Sequence, residues 1–226
     1  MNSVFEARIA RLPHPFDPDR GAEALAYLPE LGGALAELVT GAGGSSSYLA
    51  DLCRREGAWL QEALSGAPEA AMEALLAEPV ESAARDLRRK KARAAALIGL
   101  ADLAGVWSLE EVTGALTRLA DHAVQTALTE AVGEQLRRGK LPGQSEDDLE
   151  SAGGLVVLAM GKMGAFELNY SSDIDLICLF DETRFDPDEY GEARTGFVRA
   201  VRRLAQLLSE RTAEGNVYRA DLRLRP

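Results

Sequence analysis

Two aspartates, Asp173 and Asp175, stand one residue apart inside the apolar run "DIDLICLF", residues 173–180. In a strand alternate side chains share a face, so both carboxylates point one way while Ile174 and Leu176 point the other. Held about 7 Å apart along the strand, unpaired carboxylates repel each other and pay for lost hydration. A divalent cation removes both penalties. Magnesium suits the pattern, as a hard ion bound through one or two carboxylates together with substrate phosphates and water. Carboxylates arranged in this way serve phosphoryl and nucleotidyl transfer, where bound ions stabilise the attacking and leaving oxygens of an in-line displacement.

A third carboxylate lies in "NVYRADLRLR", residues 216–225. As a strand this run sets Asp221, Arg223 and Arg225 on one face and Leu222 and Leu224 on the other. Asp221 is therefore the expected third metal ligand, and the two guanidinium groups are placed to hold phosphate oxygens bidentately. The alternative is a plain ion-pair network around the acidic cluster. Upstream, "AMGKMG" follows an apolar strand directly, and Gly161 and Gly164 allow a tight turn whose N–H groups can approach a phosphate. Its spacing is neither that of a P-loop nor that of a dinucleotide fingerprint. Lys162 serves either as a phosphate contact or as a surface lysine.

Asn169, Ser171 and Ser172 precede the first aspartate, where they bind phosphate or cap a turn. Glu167 either assists the metal or hydrogen-bonds the loop that carries it. Asp181, eight residues past Asp173, is too far for the same ion and fits a strand-ending turn. His14 and His122 lack companions at ligand spacing, so no zinc site is expected.

These residues need strands to hold them, and the sequence supplies three after residue 150: "GLVVLAM", "DIDLICLF" and "NVYRADLRLR". A helical pattern through Phe197, Val201, Leu204 and Leu208 joins the last two. Before residue 139 the pattern is helical throughout, with breaks at "GAGGSSS" and "SGAPEA". Ser108 and Glu111 form a capping box. It opens a long amphipathic helix through Leu109, Val112, Leu116, Leu119, Ala120, Ala123, Ala127, Leu128, Ala131 and Val132. An earlier helix over "ESAARDLRRKKARAAALIGLADLAG" starts polar and turns apolar, so its second half is expected to be the buried one. Trp59 and Trp107 are expected in the helical core. "GKLPGQSEDDLESAGG", residues 139–154, reads as an exposed connection. The expectation is an α+β, predominantly helical chain: a helical domain over residues 1–150, then a small α/β core over residues 151–226.

The chain has 226 residues, 46% of them hydrophobic, enough for a buried core. Net charge is −11. Residues 1–150 carry 15 Lys+Arg against 24 Asp+Glu, and residues 151–226 carry 10 against 12, so neither part has the basic excess that nucleic-acid binding requires. The one basic cluster, Arg88, Arg89, Lys90, Lys91 and Arg93, reads as a solvated helix face in preference to a phosphate patch. Without a long apolar span or a signal-like start, a soluble, cytoplasmic protein with no membrane partner is expected. Cys53 and Cys178 have no CxxC companion and are expected as reduced core residues.

A glycine turn after a strand, Asp-x-Asp, and a third aspartate on a later strand resemble the nucleotidyltransferase superfamily that includes polymerase-β-like enzymes. The longer string "GKMGAFELNYSSDIDLICLFD" with "YRADLRLRP" is similar to the glutamine synthetase adenylyltransferase family of bifunctional enzymes. The reading "ELNYSSDIDL" and the helical lead-in resemble the amino-terminal, adenylyl-removing half. The resemblance implies a Mg²⁺-dependent phosphorolysis that frees adenylyl-tyrosine of glutamine synthetase from AMP and gives ADP. It further implies glutamine synthetase as protein substrate, phosphate and adenine nucleotide as small ligands, and a PII-type nitrogen signalling protein as partner of the full-length enzyme. Asp173, Asp175 and Asp221 match the family's metal-binding carboxylates, and Gly161 and Ser172 its phosphate side. Ala165 stands where the family commonly has a second glycine, so it must adopt an ordinary φ or carry mild strain. The family continues beyond the third-carboxylate strand, so a core truncated at its C-terminus is expected. The forward reaction, adenylylation from ATP, and a non-catalytic docking role are the rival readings.

Overall fold

In the computed structural model, which describes residues 3–225 and side chains as far as Leu222, the alanine- and leucine-rich part forms six helices. They are α1 (Pro18–Ala26), α2 (Gly33–Ser45), α3 (Ser47–Leu64), α4 (Pro68–Ala77), α5 (Ala83–Leu103) and α6 (Leu109–Arg137). The strands follow as β1 (Leu155–Ala159), β2 (Ile174–Phe180) and β3 (Ala220–Arg225), with one helical turn α7 (Gly161–Gly164) and the helix α8 (Tyr190–Ser209) between them. The chain is thus α+β and predominantly helical. No helix among the described residues is long and apolar enough to cross a membrane.

Two compact units emerge: Met1–Pro79 with Arg89–Leu116, and Val80–Arg88 with Thr117–Pro226. The boundary expected near residue 150 falls inside the second, because the greater part of α6 belongs with the strands.

In the first unit, glycine lets helices approach closely. The break at "GAGGSSS" forms as read: α2 ends at Ser45, Ser46 leaves the helix and caps α3, and α3 starts at Ser47, while the glycines themselves lie inside α2. A Cβ on Gly41 would meet the Pro13 carbonyl oxygen at 1.8 Å, and one on Gly43 would meet Ala24 Cβ at 2.5 Å. These glycines are there for contact, which outweighs their helix propensity. The break at "SGAPEA" separates α3 from α4 as read. Trp107 is buried, with Nε1 donating to Glu69 Oε1 at 2.6 Å. Trp59 is half-buried beneath the Arg93 guanidinium, 5.4 Å from ring centre to Cζ. The capping box forms: Ser108 N–H donates to Glu111 Oε2 at 2.7 Å and Glu111 N–H to Ser108 Oγ at 3.3 Å. Leu109, expected in the apolar stripe, is 73% exposed because it is the first residue of α6.

The basic cluster is only in part a solvated face, with Arg89 exposed and Lys91 and Arg93 half-buried. Lys90 is 1% exposed and Arg88 4%, so part of the polar first half of α5 is buried along with the apolar second half, while Arg85 and Arg89 stay exposed. In the second unit, Arg88 Nε donates to the Gly215 carbonyl at 3.0 Å and its other nitrogens donate to the Ala84 and Glu210 carbonyls, tying the approach to β3 onto α5. Arg93, in the first unit, pairs with Glu56 at 2.9 Å and Glu78 at 3.2 Å.

Asp86 opens α5 with its carboxylate accepting from the N–H groups of Glu81 and Ser82 at 2.9 and 3.0 Å and from Arg85 Nε at 2.9 Å. The Arg85 hydrogen bond, then the backbone donors, hold its carboxyl down at about 2. A carboxylate depressed in the folded state adds stability above its unfolded pKa of about 3.9. That contribution disappears as the pH falls through about 2. Asp86→Asn is therefore expected to flatten the acid side of the stability profile, measured as the urea midpoint between about pH 4 and pH 2.

The strands lie in the order β1-β2-β3. β1 pairs antiparallel with β2, and β2 pairs parallel with β3. Ile174, Leu176, Cys178 and Phe180 form the buried face of β2. Phe180 stacks on Phe197 of α8 with centroids 4.8 Å apart, and Phe185 meets the same ring edge-on. Cys53 and Cys178 are free and buried, and burial pushes both thiols up to about 11.

Candidate active site

The alternation of β2 puts Asp175 on the exposed face while Ile174 and Leu176, 0% and 2% exposed, face the core. The parallel register then sets Asp175 directly opposite Asp221, with Ile174 opposite Ala220 and Leu176 opposite Leu222. Neighbouring strands are about 4.8 Å apart, so two carboxylates from distant parts of the sequence stand side by side. Both are exposed. Like charges in directly opposed positions destabilise a sheet, and a bound cation reverses that sign.

Asp173 directly precedes β2 and is exposed. Its carboxylate is held by Arg219 Nε, and Arg219 Nη2 donates to the Ser171 carbonyl at 3.1 Å. Among the described residues no three His, Cys, Asp or Glu side chains come close enough together to hold a metal ion. The structure thus brings Asp175 and Asp221 together, and gives Asp173 a different partner. A pair of carboxylates fits a hard divalent ion that completes its shell with water and phosphate oxygens.

The glycine turn reaches this pair. Met160 N–H donates to the Asp175 carbonyl at 2.8 Å, fixing the end of β1 against β2. Gly161 follows with φ +57°, and a Cβ there would lie 3.3 Å from Asp175 Oδ2. Glycine is the residue that combines that φ with that approach. Gly164 serves packing: its Cβ would meet the Ala159 carbonyl oxygen at 2.4 Å. Ala165 has an ordinary φ of −84°, and the next residue, Phe166, takes the positive value of 62°. Lys162 and Phe166 are exposed.

Ser172 Oγ donates to Asn169 Oδ1 at 2.5 Å, the turn-capping arrangement. Asp181 accepts from Thr183 N–H at 3.0 Å and from Thr183 Oγ1 at 2.6 Å, closing the turn after β2. These two hydrogen bonds hold its carboxyl below the usual range. Arg223 and Arg225 continue β3 opposite Ile177 and Leu179. Their side chains, and the phosphate contacts expected of them, lie outside what the structure describes.

Val156, Leu158 and Met160, each between 44% and 51% exposed, extend the carboxylate face as an open apolar surface beside Ile177 and Leu179. A separate pocket of about 630 Å³, lined by Asp121, His122, Gln125, Leu128, Val157 and Met163 among others, does not include the carboxylates. Burial raises Asp121 above the usual carboxylate range there. Arg219 is the site residue that the sequence reading missed. Its signal was its place two residues before Asp221, as Asp173 stands two before Asp175.

A family model described as glutamate-ammonia ligase adenylyltransferase matches residues 36–226. Three relatives share the description bifunctional glutamine synthetase adenylyltransferase/adenylyl-removing enzyme. The one from Caulobacter vibrioides is 41% identical over 231 residues, covering 99% of this chain and 23% of its own length. That from a Bradyrhizobium species is 39% identical over 246 residues, with 99% and 25% covered. That from Xanthobacter autotrophicus is 45% identical over 189 residues, with 80% and 19% covered. The chain spans about a quarter or less of the length of these relatives.

Proposed function

The chain belongs to the glutamate-ammonia ligase adenylyltransferase family, and we propose that its carboxylate face removes AMP from an adenylylated tyrosine of glutamine synthetase by Mg²⁺-dependent phosphorolysis. The observation that carries this reading is the register that sets Asp175 opposite Asp221. Two carboxylates brought side by side on one exposed face are the donor set that a hard divalent cation takes.

When bound, Mg²⁺ would neutralise charge developing on the phosphoryl oxygens. Asp175 and Asp221 would hold it, with Asp173 as the third carboxylate. Gly161, having no side chain, leaves room beside Asp175 for a phosphoryl group. Lys162 and Ser172 are the further phosphate contacts in this reading, and the clamp on the incoming phosphate falls to Arg223 or Arg225. An oxygen of inorganic phosphate attacks the adenylyl phosphorus. The new P–O bond makes ADP, the bond from phosphorus to the tyrosine oxygen breaks, and the phenolate takes a proton from water. No side chain needs to act as general base, because phosphate is already a nucleophile.

The direction rests on "ELNYSSDIDL" and on the helical lead-in, which resemble the amino-terminal half of such enzymes. The relatives' shared description carries both activities. A PII-type signalling protein as partner, and a cytoplasmic site of action, belong to the same proposal for the longer protein. The test is product analysis. Adenylylated glutamine synthetase with this chain, Mg²⁺ and phosphate is expected to release ADP, whereas AMP-tyrosine formed from ATP would assign the forward reaction instead. Neither product, with binding to glutamine synthetase that persists without metal, would leave a docking role.

A further inference from the structure

The register that places Asp175 opposite Asp221 places Asp173 and Arg219 one step earlier along the same two strands, where Ile174 N–H donates to the Arg219 carbonyl at 2.9 Å. There the structure forms an ion pair, and the Arg219 fork also reaches back to the Ser171 carbonyl at 3.1 Å. One face therefore carries a like-charged row and, about 7 Å away along the strands, an oppositely charged row. We propose that Arg219 is an exchangeable counter-ion: it holds Asp173 while the site is without metal, and passes to a phosphate oxygen once a divalent cation takes Asp173. This rests on the metal reading of Asp173 and Asp175 given above.

Magnitudes support the exchange. The Asp173 and Arg219 side chains are 56% and 69% exposed, so water screens their attraction. Such solvent-screened pairs contribute little, too little to withstand a divalent ion bound by several carboxylate oxygens. The same guanidinium is well matched to phosphate. Its planar fork binds phosphate oxygens bidentately, and its Nη1 makes no hydrogen bond among the described residues. Metal on Asp173 removes the anion that Arg219 was neutralising, and a phosphoryl group brought by the metal supplies another. The exchange also orders events: phosphate gains its arginine only after the cation is in place.

The test uses Mn²⁺ as the probe, followed by electron paramagnetic resonance, and inorganic phosphate titrated by calorimetry with Mn²⁺ present. Arg219→Gln is expected to bind Mn²⁺ about three- to fivefold more tightly without phosphate. It should bind phosphate roughly tenfold more weakly once Mn²⁺ is bound. Arg219→Lys keeps the charge without the fork and should stay near wild type for Mn²⁺ while recovering part of the phosphate affinity. A residue that merely ties the Ser171 turn would behave otherwise, since its loss would loosen the ligands and weaken Mn²⁺ binding. Unchanged or weaker Mn²⁺ binding in Arg219→Gln, or unchanged phosphate binding, overturns the exchange. If Asp173→Asn and Asp175→Asn bind Mn²⁺ as wild type does, the metal reading falls too. If they lose Mn²⁺ while Arg219→Gln matches wild type, only the role of Arg219 falls.

Discussion

Asp175→Asn is expected to make the metal-free protein more stable while removing its capacity for metal-dependent transfer. The two effects have one cause. Asp175 and Asp221 are exposed and directly opposed across the parallel pair, with their strands about 4.8 Å apart. Two unit charges about 4 Å apart repel by about 1 kcal/mol in water, and removing one should return about 0.5–1 kcal/mol. The thermal midpoint of the variant should therefore rise by about 1–3 °C. Adding Mg²⁺ should raise the midpoint of the wild type and leave that of the variant where it was, since ligand stabilises only the state that binds it. Loss of one electrostatic stabiliser of this kind lowers turnover by about 10²–10³-fold, read here as ADP release. Scanning calorimetry with and without Mg²⁺, alongside the product assay, checks each part. Were Asp175 a structural residue, stability and activity would fall together. A variant that gains stability while losing turnover has lost a group retained for chemistry.

That site was only partly legible in the sequence, and the reason lies in what each signal spans. Alternation along β2 is local, so the exposure of Asp175 and the burial of Ile174 and Leu176 could be read directly. Turn chemistry is local as well: the Ser108–Glu111 box and the Asp181 turn form as expected. Which residue stands opposite Asp175 is a matter of register between strands whose matched residues lie forty-six positions apart, and no short-range pattern sets it. Arg219 was overlooked on the same ground, since its partner is decided by that register. The break at "GAGGSSS" was local and legible, whereas the contact made by its glycines was not, since only the Pro13 carbonyl beside Gly41 reveals it.

Charge misled more than spacing did, and Lys90 shows why. Within "DLRRKKARA" it reads as one more solvated cation, yet its ammonium donates to the carbonyls of Leu75, Leu76 and Glu78 at 2.5, 3.0 and 2.8 Å. Those carbonyls end α4, where the last turn lacks partners within the helix and carries the negative end of its dipole. A buried lysine can cap three of them at once, because its three donors rotate to suit. Lys90→Met keeps the stem's volume and removes every donor. It should cost about 2–4 kcal/mol, seen as a lowered urea midpoint. Lys90 belongs to the first unit and the carboxylates to the second, so at temperatures where the variant is folded its Mn²⁺ affinity should equal that of the wild type. A loss of affinity in the folded variant would mean that α5 transmits the state of one unit to the other. A loss of stability alone would place Lys90 with the scaffold, opposite in both readouts to Asp175.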